Sequence, residues 1–472
     1  MRKPRQLRVR NVASAGSNVW SASRYNANNA WYSNGNNGYA NNNNMYNTYS
    51  ALPVANYYKD MIREDFIEDY YGCRANKRRS TDSVYYELHW ERSTARLDRD
   101  FSNRVIVPFL YAFLAPRLRL REVIACLMQM KILQFHFDER VRPLVEERLT
   151  DRTFNNRIGY GPDKAVERLM EDIRIVSHNY TRDCYVFSRD ISAYFPSSDL
   201  DRSYQTYRKL IEENIQDPQE RDDLLYILLR VNYAYPRQNA VLRSPRHKWR
   251  EIIENGKSVI FNCDDRHGAC LGNQFWQVEK NFDLNDFDHF QVDTCGLHYI
   301  RFVDDMRWVV ENKEAGLAHV ALSEKILREQ YGYKMHPRKR SCQHYSKGGE
   351  FIGTWYKFDR IYVGNRVVRH TEETIAKWNR LVSENALDHF LASINSYLGM
   401  MKHKNAYGII RNLVDKVSPK WKQYCEYNDA RRCFEAKPGY RHNEILERKY
   451  LFKLNKNHGK KSTTQHPGVQ AA

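Results

Sequence analysis

This 472-residue chain has nine cysteines but no Cys-x-x-Cys pair, so neither a zinc site nor a disulfide framework is indicated, and reduced thiols are expected. It has no run of about 18 apolar residues, which argues against a membrane-spanning helix. The N-terminus lacks the apolar core of a secretory signal, so a soluble cytoplasmic protein without a membrane partner is expected. No interior linker is evident, although the length exceeds that of one average domain. Acidic residues are in deficit: 57 Asp and Glu face 75 Lys and Arg, a formal net charge of +18. An excess of that sign suits a polyanionic partner.

Against that background, Arg301-Phe302-Val303-Asp304-Asp305-Met306 is the most informative stretch. Its flanks, 296–303 and 306–311, are rich in β-branched and aromatic residues, so two strands are expected with the acidic pair at the turn between them. Two carboxylates forced together at a hairpin tip repel unless a cation joins them. Hard oxygen ligands on a rigid turn suit Mg²⁺, with Mn²⁺ as a substitute. Asp-Asp also occurs at Asp222-Asp223 and Asp264-Asp265, so the pair gains meaning only with a partner. Asp190 supplies one. Residues 184–189 read as a short strand ending in that acid. Leu200, Tyr204, Tyr207, Ile211 and Ile215 then recur at helical spacing, with Ser197, Ser198 or Asp199 as N-cap. Between the acids, His267 to Phe275 is a glycine-containing turn entering a helix; Gly272 permits close backbone approach and the helix N-terminus favours phosphate.

A strand-end acid, an aromatic five residues on, a glycine turn and an aromatic-x-Asp-Asp hairpin, in that order, resemble the motifs of palm-type polymerases, reverse transcriptases in particular. The resemblance extends to Tyr333 through Arg340, matching the basic segment after the hairpin. It also takes in Glu350-Phe351-Ile352-Gly353, matching the hairpin that grips the primer, and Asp151 through Arg168, matching a fingers motif whose Arg reaches the incoming triphosphate. It implies an α+β, right-hand polymerase with fingers, an antiparallel palm sheet and a helical thumb. The expected zones are an Asn-rich segment (1–56), fingers (57–180), catalytic palm (181–365), helical thumb (366–454) and a disordered basic tail (455–472).

The resemblance further implies two-metal nucleotidyl transfer, with Asp190 and Asp304 as catalytic metal ligands, Ile191 beside the first, and Asp305 assisting. Arg157 would grip the triphosphate through its guanidinium fork. Lys339 is the expected general acid or phosphate contact, with Lys334 and Arg338 as rivals. Leu271 and Gly272 would border the nucleotide, and Phe351, Ile352 and Gly353 the primer. Phe195 would stack under the incoming sugar and clash with a 2′-hydroxyl, so the product would be DNA. Many reverse transcriptases carry Gln at the position of Leu271; an apolar residue there removes a directional contact and predicts lower discrimination. The implied partners are an RNA template, a DNA primer and cDNA, and dNTPs.

Asn179 to Tyr185, Leu271-Gly272-Asn273-Gln274, Leu284 to Phe290 and Ile394-Asn395-Ser396-Tyr397-Leu398-Gly399 look like bacterial reverse transcriptases of the diversity-generating retroelement type. Antiviral, defence-associated reverse transcriptases that use a dedicated noncoding RNA share much of the pattern. Ile158 and Tyr160 depart from the Lys that relatives often carry, and the usual Thr-Ser pair after Asn273 is missing. Residues 16–54, with Asn41-Asn42-Asn43-Asn44, are similar to the variable ligand-binding stretch such retroelements diversify by miscopying template adenines. Asn codons begin with two adenines, so residues near 16–54 are expected to be encoded by the template repeat itself. On this reading the enzyme is error-prone and works with a structured noncoding RNA and a small basic accessory protein.

Overall fold

The structure, a computed structural model, describes residues 18–24, 29–34, 40–44, 63–75, 81–115 and 120–441. Near the N-terminus, β1 (Asn18–Arg24), β2 (Asn29–Asn34) and β3 (Ala40–Asn44) form an antiparallel sheet in that order. The expected tail, 455–472, lies outside the described residues, as does the rest of 1–56.

Three helices, α1 (Glu64–Arg74), α2 (Thr81–Leu88) and α3 (Trp90–Ser102), precede a hairpin of β4 (Leu110–Ala115) and β5 (Arg121–Cys126). After α4 (Met128–Arg148) and α5 (Pro162–Val176) the chain enters β6 (Tyr185–Asp190), then α6 (Leu200–Asn214) and α7 (Pro218–Asn232). Short elements follow: α8 (Pro236–Asn239), β7 (Ala240–Leu242), α9 (Arg250–Glu254), α10 (Val259–Asn262), α11 (Gln274–Phe282) and α12 (Asn285–His289). Then come β8 (His298–Phe302), β9 (Asp305–Val310), α13 (Lys313–Tyr331) and β10 (Ser341–His344), followed by the meander β11 (Gly349–Phe351), β12 (Thr354–Lys357) and β13 (Arg360–Val363). The C-terminal part holds α14 (Asn365–Asn379), α15 (Leu387–Met401) and α16 (Tyr407–Asp415), with a hairpin of β14 (Cys425–Asn428) and β15 (Cys433–Ala436). That hairpin is an addition to the mainly helical layer expected over 366–454.

The central sheet is antiparallel throughout, in the order β10-β6-β9-β8. Its two middle strands carry apolar residues on both faces, away from their acidic ends, because both faces are covered. Val186, Ile300 and Val309 pack with Ala165, Val166, Leu169 and Ile173 of α5. On the other face Phe187, Tyr299, Met306 and Trp308 pack with Val320 and Leu327 of α13. Gly316 lets α13 approach closely: a Cβ there would sit 2.5 Å from the Phe187 ring. The helix predicted from Leu200 forms as α6, and among the three candidate caps it is Asp199 whose side chain accepts the N–H groups of Asp201 and Arg202. Separate apolar cores underlie α1–α4 with α6 and α7, and α14–α16 with the β14–β15 hairpin.

Candidate active site

Strand pairing and one backbone hydrogen bond bring the three acids to the same end of the central sheet. Asp190, the last residue of β6, lies directly opposite Asp305, the first residue of β9. Asp304 occupies the two-residue turn between β8 and β9, and its carbonyl accepts the Ile191 N–H at 3.0 Å, which pins the turn to the end of β6. The segment after β6 is fixed from the other side: His336 N–H donates to Asp190 O at 2.7 Å and Ser192 N–H to Lys334 O at 2.8 Å. Lys334 thus contributes its backbone, while Lys339 Nζ contacts Asp190 Oδ2.

The carboxylates differ in electrostatics. Asp305 pairs with Arg307 two residues along the same strand face, and burial raises its pKa against that pairing. Arg307 also donates to Glu350 O at 3.2 Å and lies 4.5 Å from the centre of the Phe351 ring, tying Asp305 to the β11–β12 hairpin. Asp304 has no such partner beside it. Burial, and then the charge of Asp190, push its carboxyl up to about 6.

These acids fit a divalent cation. Crowded carboxylates with excess negative charge are the donor set a hard cation relieves, and Asp190 and Asp304 both line the cavity. Ile191 is 1 % exposed, so its backbone is what could reach an ion. Among the described residues no group of three or more His, Cys, Asp or Glu is placed to hold a metal ion. Mg²⁺ is commonly held by one or two carboxylates plus water and phosphate, so an open pair suits it.

The turn that presents Asp304 is braced by buried groups. Val303 has φ +59°, a conformation a β-branched residue rarely adopts. Its N–H donates to Asn155 Oδ1 at 2.9 Å, and its carbonyl accepts from Arg301 Nη1 at 3.2 Å. Arg301 and its ion-pair partner Asp288 have fully buried side chains, and Asp288 also accepts from Thr153 and Tyr299. The desolvation of such a buried charge pair offsets much of its attraction, so losing either partner would leave an uncompensated charge beneath the turn.

The acids form the floor of a cavity of about 1310 Å³ that also contains Phe195, Leu271, Lys339 and Ile352. Phe195 O accepts the Ala269 N–H at 2.8 Å, joining the Phe195 turn to the glycine turn. Gly272 has φ +120°, and a Cβ there would meet Val123 Cγ1 at 2.8 Å and Ile124 O at 2.9 Å, so the close approach it permits is to β5. Of the grip residues, Ile352 and Gly353 form the β11–β12 turn and line an adjoining cavity, whereas Phe351 is fully buried beneath Arg307. Arg338 also lines that second cavity.

Arg157 is not brought to this cleft. Its Nε donates to Glu146 at 2.8 Å, its Nη1 to Thr150 O and Thr153 O, and its guanidinium lies 4.1 Å from the centre of the Tyr160 ring. A fork spent on internal acceptors has little left for a triphosphate. Arg121, at the start of β5, instead lines both large cavities beside Asp190. The sequence signal that could have pointed to it is the alternation of arginine and leucine from Arg117 to Arg121.

No protein-family model matches this chain, and no curated protein matches it. Among solved structures, the apo telomerase from Candida tropicalis is similar at TM-score 0.41 and 10 % identity over 66 % of this chain and 59 % of that one. The Candida albicans telomerase in complex with a TWJ fragment of telomeric RNA is similar at TM-score 0.40 and 11 % identity, over 68 % of this chain and 61 % of that one. A C. tropicalis apo telomerase truncated from the C-terminal domain gives 0.39 and 10 %, covering 54 % of each. The matches thus span 54 to 61 % of the lengths of these structures. Among the described residues no helix is long and apolar enough to cross a membrane.

Proposed function

We propose that this chain is an RNA-directed DNA polymerase of the right-hand type, with fingers over 57–180, palm over 181–365 and thumb over 366–454. The observation that carries the reading is the meeting of Asp190 and Asp304 through the Ile191–Asp304 backbone bond at the floor of a large cleft. Asp190, Asp304 and the Ile191 backbone would hold Mg²⁺. Bound there, the ions would activate a primer 3′-hydroxyl and stabilise the charge of departing pyrophosphate. Lys339 neutralises Asp190 in the metal-free protein; released by a cation, its ammonium would be free to meet the triphosphate. Arg307 keeps Asp305 turned to the β11–β12 hairpin, an assisting role. Phe195 excludes a 2′-hydroxyl, making the product DNA.

The template would be RNA and the primer DNA, and the finer reading is an error-prone enzyme of a diversity-generating retroelement. Leu271 in the cleft, where Gln would supply a directional contact, supports low discrimination. A structured noncoding RNA and a small basic accessory protein belong to the same reading.

The test is extension of an oligo(dT) primer on poly(rA) by the purified full chain with Mg²⁺ and dTTP. Incorporation that Asp190→Asn and Asp304→Asn each abolish is expected; no incorporation with either Mg²⁺ or Mn²⁺ overturns the reading. Sequencing of cDNA on mixed templates then separates the biological roles. Errors concentrated opposite adenine support the retroelement, whereas uniform fidelity or homopolymer-like product favours a defence enzyme.

A further inference from the structure

Residues 105–115, Val-Ile-Val-Pro-Phe-Leu-Tyr-Ala-Phe-Leu-Ala, are apolar without interruption. Such a run usually marks a strand buried on both faces. Here one face is open. Ile106, Leu110, Ala112 and Leu114 are buried, while Val105, Val107 and Phe109 are 58, 53 and 54 % exposed. Strand β7, from the segment between α7 and α11, pairs parallel with β4 and extends the same face: Tyr111 lies opposite Val241, which is 67 % exposed. The Tyr111 and Phe113 rings are stacked, with centroids 6.2 Å apart and planes at 19°. The Arg243 guanidinium sits 3.7 Å from the centre of the Tyr111 ring.

Two further features indicate what covers this face. The segment around β7 is basic: Arg237, Arg243, Arg246, Lys248 and Arg250 are all exposed, against Glu251 and Glu254. The face also runs directly into the catalytic region, because Phe113, Ala115, Arg121 and Val123 line a cavity of about 1140 Å³ together with Asp190 and Asp305. Aromatic and apolar rows flanked by arginines match the needs of an unpaired nucleic-acid strand, whose bases stack while its phosphates seek cations. Arg250 pairs with Glu254 at 3.3 Å, whereas Arg237, Arg243, Arg246 and Lys248 form no ion pair among the described residues, so a protein partner would have to bring its own acids to them.

We propose that the outer face of the β5-β4-β7 sheet binds single-stranded RNA and leads it to the carboxylates. The destination of the strand rests on the polymerase reading; the binding does not, and is measured without synthesis. The probe is an unstructured, 5′-fluorescent 20-nucleotide RNA titrated with the full chain at several salt concentrations. Val241→Glu should weaken binding about tenfold or more, whereas Val241→Lys, at the same exposed position, should leave it equal or tighter. Arg243→Gln should weaken binding and reduce the salt slope by about one. Equal affinities for Val241→Glu, Val241→Lys and the unaltered chain overturn the proposal. So does a change in self-association on sedimentation with RNA affinity unchanged, which would make the face a protein interface. A chain that makes no DNA yet loses RNA with Val241→Glu keeps the surface and discards the polymerase.

Discussion

Asn155 Oδ1 accepts the Val303 N–H at 2.9 Å, across 148 residues of sequence. The bond holds the residue before Asp304 in a left-handed conformation that costs a β-branched side chain about 1–3 kcal/mol. If Asp304 holds a metal as proposed, Asn155 is a positioning residue for that site. Asn155→Ala should raise the Mg²⁺ concentration for half-maximal synthesis and lower kcat about 10- to 100-fold, the usual cost of an unmet buried N–H. Adding Val303→Gly, which removes the strain, should recover much of the loss. A Mg²⁺ titration of Asn155→Ala that overlays the unaltered protein sinks the assignment.

On the proposed reading Asp304 trades stability for function. Its folded pKa, about 6 in the metal-free protein, lies above the ordinary carboxylate value. Folding therefore favours its protonated form: on this term stability is greatest below about pH 4, falls as pH rises through about 6, and is flat above. Asp304→Asn removes a buried charge and should stabilise the metal-free protein at pH 7.5 by about 2 kcal/mol. Mg²⁺ should raise the Tm of the unaltered chain, and Asp304→Asn should abolish both that rise and synthesis. Thermal melts with and without Mg²⁺ at pH 5 and 7.5 check both; a destabilised Asp304→Asn at pH 7.5 contradicts the electrostatic account.

On the proposed reading Arg157 is structural and Arg121 takes the triphosphate contact that the sequence assigned to Arg157. Arg157→Ala breaks a part-buried ion pair and two carbonyl contacts, so about 2–4 kcal/mol of stability should be lost with little change in KM for dNTP. Arg121→Ala should leave Tm unchanged and raise that KM about tenfold, the order of one charge-assisted contact. The reverse pattern would return the triphosphate to Arg157.

What the sequence made legible was local. The β6 strand ending at Asp190, the acidic turn at Asp304-Asp305 and the α6 helix each follow from a few neighbouring residues with period 2 or 3.6. What stayed hidden depends on partners far along the chain. Arg157 reads as an available fork until Glu146 and the Thr150 and Thr153 carbonyls are placed around it. Asn155 has no local signature, because its acceptor meets an N–H of a different element. Strand β7 is three residues long, and only its parallel pairing with β4 makes it a strand. The template-repeat reading of residues 16–54 falls largely outside the described residues.

The sugar preference offers the sharpest single test of the cleft. Phe195 lines the cavity with Asp190, Asp304 and Leu271. Its backbone is held on both sides: Ala193 N-terminal to it is in a left-handed turn closed by the Ser197 N–H to Ala193 O bond, and Phe195 O accepts from Ala269. Shrinking the side chain should thus open space without moving the turn. Phe195→Val should lower the preference for dTTP over UTP about 100-fold, the scale on which an apolar pocket rejects an added hydroxyl. Phe195→Tyr, which keeps the ring, should retain the preference. The ratio of kcat/KM values for the two nucleotides on one primer–template is the measurement. An unchanged ratio in Phe195→Val would reduce Phe195 to packing against the neighbouring core.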